Sequence, residues 1–178
     1  MLRASRASTM PASSPSPSRR SPPRLGPRGG GWVLLQSALI VLIGLSPLTG
    51  VYWPDAVAGV LVVVGLGLIL FALLLLALAA VSLIRARSTT VFPRPRERAA
   101  VAETGVYRRV RHPIYGAVLL LAFGASLTES PLGLIPTALL ALVFDLKARV
   151  EEAWLEERLP AYARYRASTP RRFVPGVY

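Results

Sequence analysis

Two uncharged apolar stretches decide what this chain can become. No residue from Gly29 to Pro54 is charged, and Trp32–Leu48 is apolar apart from Gln36, Ser37 and Ser46. That approaches the ~20 residues needed to cross a ~30 Å hydrocarbon core. The run from Ala56 to Ile84 is also uncharged, with Ser82 its only hydroxyl, and is longer than one crossing needs. The surplus predicts tilt or extension past the membrane. Gly59, Gly65 and Gly67 suit close helix packing. Tyr52 and Trp53, in the turn between the spans, suit an interface. Composition agrees: 53% of residues are hydrophobic, 17% are charged and mean hydropathy is +0.49, whereas soluble domains carry about 25% charged residues.

Beyond Arg111 come two shorter apolar segments, Ile114–Leu127 and Gly133–Leu146, split by Ser130-Pro131. They predict a helical hairpin, followed by a charged helix to about Leu159 and an irregular tail. Asp145, near the end of the second segment, should face protein or water, or pair with Arg149 at i,i+4. The expected fold class is all-α, an integral membrane helical bundle of about four transmembrane helices with a cytoplasmic cofactor pocket. Three regions are expected: a disordered Ser/Pro/Arg-rich tail over 1–31, two transmembrane helices over 32–84, and a catalytic region over 85–178.

Charge sets the expected orientation. Residues 1–31 hold six arginines and no acid, the 85–111 segment eight arginines, and the region from Arg149 six more; the two turns between spans carry only Asp55 and Glu129. By the positive-inside rule both termini are cytoplasmic, in a multi-pass protein expected in a bacterial cell membrane. The tail is also Arg- and Ser-rich like a transit peptide, and Met10 is a second candidate start; no secretory signal peptide is expected. Net charge is +12, from 21 Lys+Arg against 9 Asp+Glu. These charges lie in the tail and beside apolar spans, so no nucleic-acid partner is expected. There is no cysteine and one histidine. That excludes a disulfide framework, a thiolate nucleophile and a multi-histidine metal site, and no metal is expected.

The hairpin has a chemical consequence. It starts at His112-Pro113 and returns at Glu151-Glu152, so the only histidine and a carboxylate pair should end near one membrane surface, with Tyr107, Tyr115, Arg108, Arg109 and Arg111. Pro113 suits the first helical position and places His112 at the helix mouth, where an anion is favoured. Gly116 permits close approach. Glu151 and Glu152 are about 100° apart around a helix, so one could face a cation while the other pairs with Arg149 or Lys147.

The run Tyr107-Arg108-Arg109-Val110-Arg111-His112-Pro113-Ile114-Tyr115-Gly116 is followed by Glu151-Glu152-Ala153-Trp154-Leu155, Tyr162-x-x-Tyr165 and Thr169-Pro170-Arg171. With Gly105 completing the first motif, this resembles the isoprenylcysteine carboxyl methyltransferase family, its prokaryotic members above all. The resemblance covers about Thr90 to Pro175. It implies S-adenosylmethionine as methyl donor and a lipophilic acceptor entering from the bilayer. It implies a cofactor site of Tyr107, Arg111, His112, Pro113, Tyr115, Gly116, Glu151 and Glu152, with Glu152 and Arg111 catalytic. The donor's carboxylate would meet His112 and Arg111, and its ammonium Glu151 or Glu152. Tyr162, Tyr165 and Arg171 are candidates for the acceptor, although the tyrosines also suit an interface anchor. Arg171 and Arg172 suit positive-inside charges, one of which could hold a carboxylate or phosphate. The rival readings are a steroid-reductase-like membrane oxidoreductase using a nicotinamide cofactor, a phospholipid N-methyltransferase and a non-enzymatic membrane interaction protein. An acid soon after the Pro-x-Tyr, typical of the reductases, is missing until Glu129.

Overall fold

The computed structural model describes residues 25–26, 29–85 and 103–174. The expectations for the basic tail, apart from its last residues, and for most of the arginine-rich segment lie outside them. Five α-helices follow in order: α1 (Gly30–Leu45), α2 (Asp55–Arg85), α3 (Pro113–Glu129), α4 (Leu134–Arg158) and α5 (Pro160–Ser168). There is no strand among the described residues. Short 3-10 turns at Ser46–Thr49, Gly105–Arg108 and Pro131–Gly133 punctuate the chain.

Three segments, Gly30–Thr49, Asp55–Arg85 and Pro131–Arg158, are long and apolar enough to cross a membrane, and the shorter apolar helix Pro113–Glu129 makes the fourth member. The protein is an all-α membrane bundle. The apolar return limb and the charged helix expected after it are one continuous helix, α4, because no proline or glycine interrupts the hydrogen-bond ladder between Thr137 and Arg158. The tail expected to be irregular beyond Leu159 instead forms α5, with Pro160 at its first turn.

Packing is uneven. α2 lies against α3 through facing glycines: a Cβ on Gly65 would sit 2.7 Å from the Gly124 carbonyl oxygen, and one on Gly124 would sit 2.8 Å from that of Gly65. The backbones touch where a side chain would hold them apart. Gly59 and Gly67 have open space around them, so only one of the three α2 glycines serves that contact. Much of α2's remaining surface, including Val63, Leu70 and Leu78, is exposed, as a lipid-facing helix requires. α1 packs chiefly on α4, burying Trp32, Leu39 and Ile43 against Leu140, Phe144 and Ala148.

The turn end of the α3–α4 hairpin is tied by neutral hydrogen bonds. Ser126 Oγ donates to the Ala122 carbonyl at 2.8 Å and lies 3.1 Å from Thr137 Oγ1, which donates to Gly133 O. Ser130 Oγ donates to Val51 O at 2.7 Å, and Trp53 Nε1 to Ser126 O at 3.1 Å. Trp53 is therefore a clasp between the α1–α2 connection and α3. Every one of these buried groups has a partner, which matters where water is excluded.

Candidate functional site

Opposite the turn, the open end of the hairpin carries the charge. Gly105, at φ +60, begins the turn that brings Tyr107 onto the end of α2. Its missing side chain is required there, since a Cβ would meet Ser82 Oγ at 2.5 Å. Pro113 then opens α3, leaving His112 as its N-cap residue without a side-chain capping bond. The imidazole is thus free to turn toward α4.

There it meets both glutamates. His112 Nε2 lies 3.1 Å from Glu152 Oε1 and Nδ1 lies 3.8 Å from Glu151 Oε2. Arg111 Nε donates to Glu152 Oε1 at 2.9 Å. Arg111, His112 and Glu152 are each at least nine-tenths buried. Arg111 and Glu152 therefore neutralise each other, so the cation bonded to Glu152 is Arg111 where the sequence suggests Arg149 or Lys147 for one of the doublet. Arg149 pairs with Asp145 at 2.8 Å, the i,i+4 bond read from the sequence. Lys147 is buried and donates to Gln36 on α1 at 2.6 Å, with its ammonium 4.9 Å from the Tyr115 ring centroid.

Glu151 has a different setting. Its Oε2 accepts from the Tyr115 hydroxyl at 2.7 Å, and its side chain keeps 21% exposure against 3% for Glu152. Tyr115 is the middle of an aromatic stack, with Phe144 at 4.7 Å and His112 at 5.2 Å between centroids. Phe173 packs edge-on against His112.

The C-terminal strap, residues 169–174, closes over this cluster. The backbone N–H groups of Arg111 and His112 donate to the carbonyls of Arg171 and Arg172 at 3.0 and 2.8 Å, and the Arg111 guanidinium donates to Thr169 O. Gly116 allows the approach, since a Cβ there would stand 2.6 Å from Phe173 O. The close partner anticipated at Gly116 is thus the strap itself. Arg171, expected at the acceptor, presents an exposed side chain and joins through its carbonyl, which accepts from the Arg111 backbone N–H. Arg172 turns inward, bonding Asp145 at 2.8 Å and Glu152 at 3.3 Å. Sequence reading weighed Arg172 with Arg171 as a surface charge; no periodicity marks which of two adjacent arginines faces in.

Tyr162 and Tyr165 are buried on α5, which overturns the interface-anchor reading. Tyr165 donates to Tyr107 O at 2.7 Å. The Tyr162 hydroxyl is buried and has no hydrogen-bond partner among the described residues. Burial pushes the phenols of Tyr107, Tyr162 and Tyr165 well above their ordinary value; the carboxylates push the same way, while Arg111 opposes them at Tyr162 and Tyr165.

An apolar groove of about 480 Å³ runs between α3 and α4. From α3 it takes Gly116, Leu119, Leu120 and Phe123, and from α4 Leu134, Thr137, Ala138 and Ala141. Val174 of the strap lines it as well, so the groove and the charged cluster share Gly116 and the strap.

A family model described as phospholipid methyltransferase matches residues 60–161, more than half of the chain. The chain belongs to the phospholipid methyltransferase family. That family lies within the isoprenylcysteine carboxyl methyltransferase-like membrane methyltransferases, the group the motifs resemble. No individual curated protein matches. The match makes the protein a membrane methyltransferase and runs from α2 through the hairpin to the start of α5. It leaves out α1 and the strap, the two elements that Lys147 and Arg172 tie to α4.

Proposed function

We propose that the protein transfers a methyl group from S-adenosylmethionine to a lipophilic acceptor drawn from the bilayer. The observation that carries the reading is the convergence of Arg111, His112, Glu151 and Glu152 at one end of the hairpin, where an apolar groove reaches them. The donor's chemistry fits what stands there. Glu151 is a partly exposed carboxylate suited to an ammonium, and the buried Tyr162 hydroxyl, without a partner among the described residues, suits a ribose or purine polar atom. The Tyr115 stack offers aromatic surface beside which a sulfonium is attracted. When bound, the donor supplies an activated methyl on a positively charged sulfur.

The protein's own part is to position and to exclude water. Glu152, saturated by Arg111, His112 and Arg172, fixes the strap and the histidine. This makes Glu152 and Arg111 positioning residues and leaves Glu151, oriented by the Tyr115 hydroxyl, to meet the donor. A carboxylate acceptor, as in isoprenylcysteine, needs no base. An amine, as in a phospholipid headgroup, loses a proton as its nitrogen is methylated. The family description favours that second reading, and Glu151 beside His112 Nδ1 is the group to take the proton. The arginine distribution supports a cytoplasmic face for the charged end and both termini.

The test is transfer of labelled methyl from S-adenosylmethionine into a membrane lipid extract by the purified protein, with the product identified. A methylated lipid lost in Glu151→Gln supports the proposal. No transfer, together with no binding of S-adenosylhomocysteine, ends it.

A further inference from the structure

We infer that Lys147 is a positioning residue for the donor site: held by Gln36 of α1 and seated on the Tyr115 ring, it fixes the hydroxyl that orients Glu151. The inference rests on the methyltransferase reading, and it makes α1, which lies outside the family match, part of the site.

Lys147 is the only lysine of the chain. Its helix is long and apolar enough to cross a membrane, and a long cation near the end of such a helix ordinarily reaches for the interface. Arg149, two residues on, does so, with a side chain 42% exposed. Lys147 instead turns inward and keeps 2% exposure. Burying an ammonium is costly unless its neighbours compensate.

Several neighbours do. Gln36 Oε1 accepts from Nζ at 2.6 Å. The centroids of the Tyr115 and Phe144 rings lie 4.9 and 5.9 Å from Nζ, within reach of cation–π attraction. Glu151 stands one turn further along α4, and its charge attracts the ammonium. Gln36 is itself placed for this contact. Trp32, Leu39 and Ile43 form the buried stripe of α1, and Gln36 falls between the first two at helical spacing. It is a polar side chain set into an apolar seam.

Tyr115 links this seam to the donor site. Its ring receives Lys147, and its hydroxyl donates to Glu151 Oε2 at 2.7 Å. Near-parallel stacking on His112 and Phe144 fixes the plane of the ring but not its position within that plane. The Lys147 contact and the Glu151 bond set that position. Joining helices needs no charge, as the neutral Ser126–Thr137 contact between α3 and α4 shows. A cation beside the ring adds what a neutral pair cannot. It draws on the ring's electrons and so strengthens the phenol as donor to the carboxylate.

The experiment uses the full chain in nanodiscs. Lys147→Met keeps the side-chain length and removes the charge, and Gln36→Leu removes the acceptor on α1. The paired variant Lys147→Met/Gln36→Leu leaves no polar partner buried alone, so it keeps the test open should either single variant unfold. S-adenosylhomocysteine affinity is measured by calorimetry. Modification of Glu151 by a water-soluble carbodiimide with an amine is mapped by mass spectrometry, with the exposed Glu156 as internal standard. Each variant should bind about fivefold more weakly and modify Glu151 about threefold faster, because the carboxylate loses its fixed orientation. The paired variant should melt no lower than the unmodified protein. In a Glu151→Gln background, Lys147→Met should bring no further loss of affinity, since it acts through that carboxylate. Unchanged or tighter binding by the folded paired variant overturns the inference and leaves Lys147 a helix-joining group. Glu151 modification at the unmodified rate, or a further fivefold loss in the Glu151→Gln background, overturns it as well. If the unmodified protein binds no S-adenosylhomocysteine while Glu151 modification rises in the variants, the donor reading fails and the positioning of Glu151 stands.

Discussion

The two ends of the α3–α4 hairpin solve the burial of polar groups in opposite ways. At the turn, Ser126, Ser130 and Thr137 are small and neutral, and each gives its hydrogen to a backbone carbonyl. Nothing there needs a counter-charge, and nothing is left to offer a ligand. At the open end, two glutamates face Arg111, Arg172 and His112, with a buried Tyr162 hydroxyl that has no partner among the described residues. Buried ion pairs are a poor way to gain stability, since desolvation offsets most of their attraction. The turn end shows that this chain can close a hairpin without them. Stability therefore does not account for the charged end, and the proposed methyl transfer gives it a use.

The comparison can be broken most sharply at Glu152. Glu152→Gln leaves two guanidiniums facing a neutral amide, and removing one partner of a buried pair costs about 3–5 kcal/mol. Unfolding in mild detergent should register that loss, and methyl transfer should fall by two orders of magnitude or more. A variant with near-normal stability would mean that the cluster is wetter than its burial indicates.

Paired glycine substitutions give the next largest effect. Gly116→Ala pushes on the strap at Phe173, whereas Gly124→Ala pushes α3 off α2. Both overpack and should cost about 1–3 kcal/mol. Only Gly116→Ala should lower activity per folded molecule, by about tenfold, as measured by turnover normalised to the folded fraction. Equal turnover in the two would detach the strap from function.

Much of this contrast was legible in the sequence, and the reasons are specific. Pro113 and Ser130-Pro131 fix where α3 begins and ends, and a 39-residue return between His112 and Glu151 brings them to one end. That juxtaposition needs only helix rise and a turn. The inward turn of Arg172, the bond from Lys147 to Gln36 and the burial of Tyr162 were not legible. Each depends on how a strap or a distant helix docks, and such long-range contacts leave no periodic mark. That Glu151 and Glu152 take different settings was legible from their adjacency on a helix; which one faces Arg111 was not.

Smaller effects sharpen the neutral end. Thr137→Val and Ser126→Ala should each cost about 1 kcal/mol of stability without altering turnover. The phenols of Tyr107, Tyr162 and Tyr165 supply a pH signature. Their folded values are raised, so above the ordinary value of about 10 the native state holds protons that the unfolded chain has released, and stability falls as pH rises. Below that pH the contribution is complete. Unfolding followed from pH 8 to 11 should show the decline only toward the top of that range, and Tyr162→Phe should lessen it. Smallest of all, Arg149→Ala removes a half-exposed partner of Asp145 and should shift stability by no more than about 0.5 kcal/mol.

Calorimetric binding of S-adenosylhomocysteine, set side by side for Glu151→Gln and Ser126→Ala, tests the division between the two ends most directly. The account predicts about tenfold weaker binding in Glu151→Gln and affinity like that of the unmodified protein in Ser126→Ala. Identical affinities in all three proteins would contradict it.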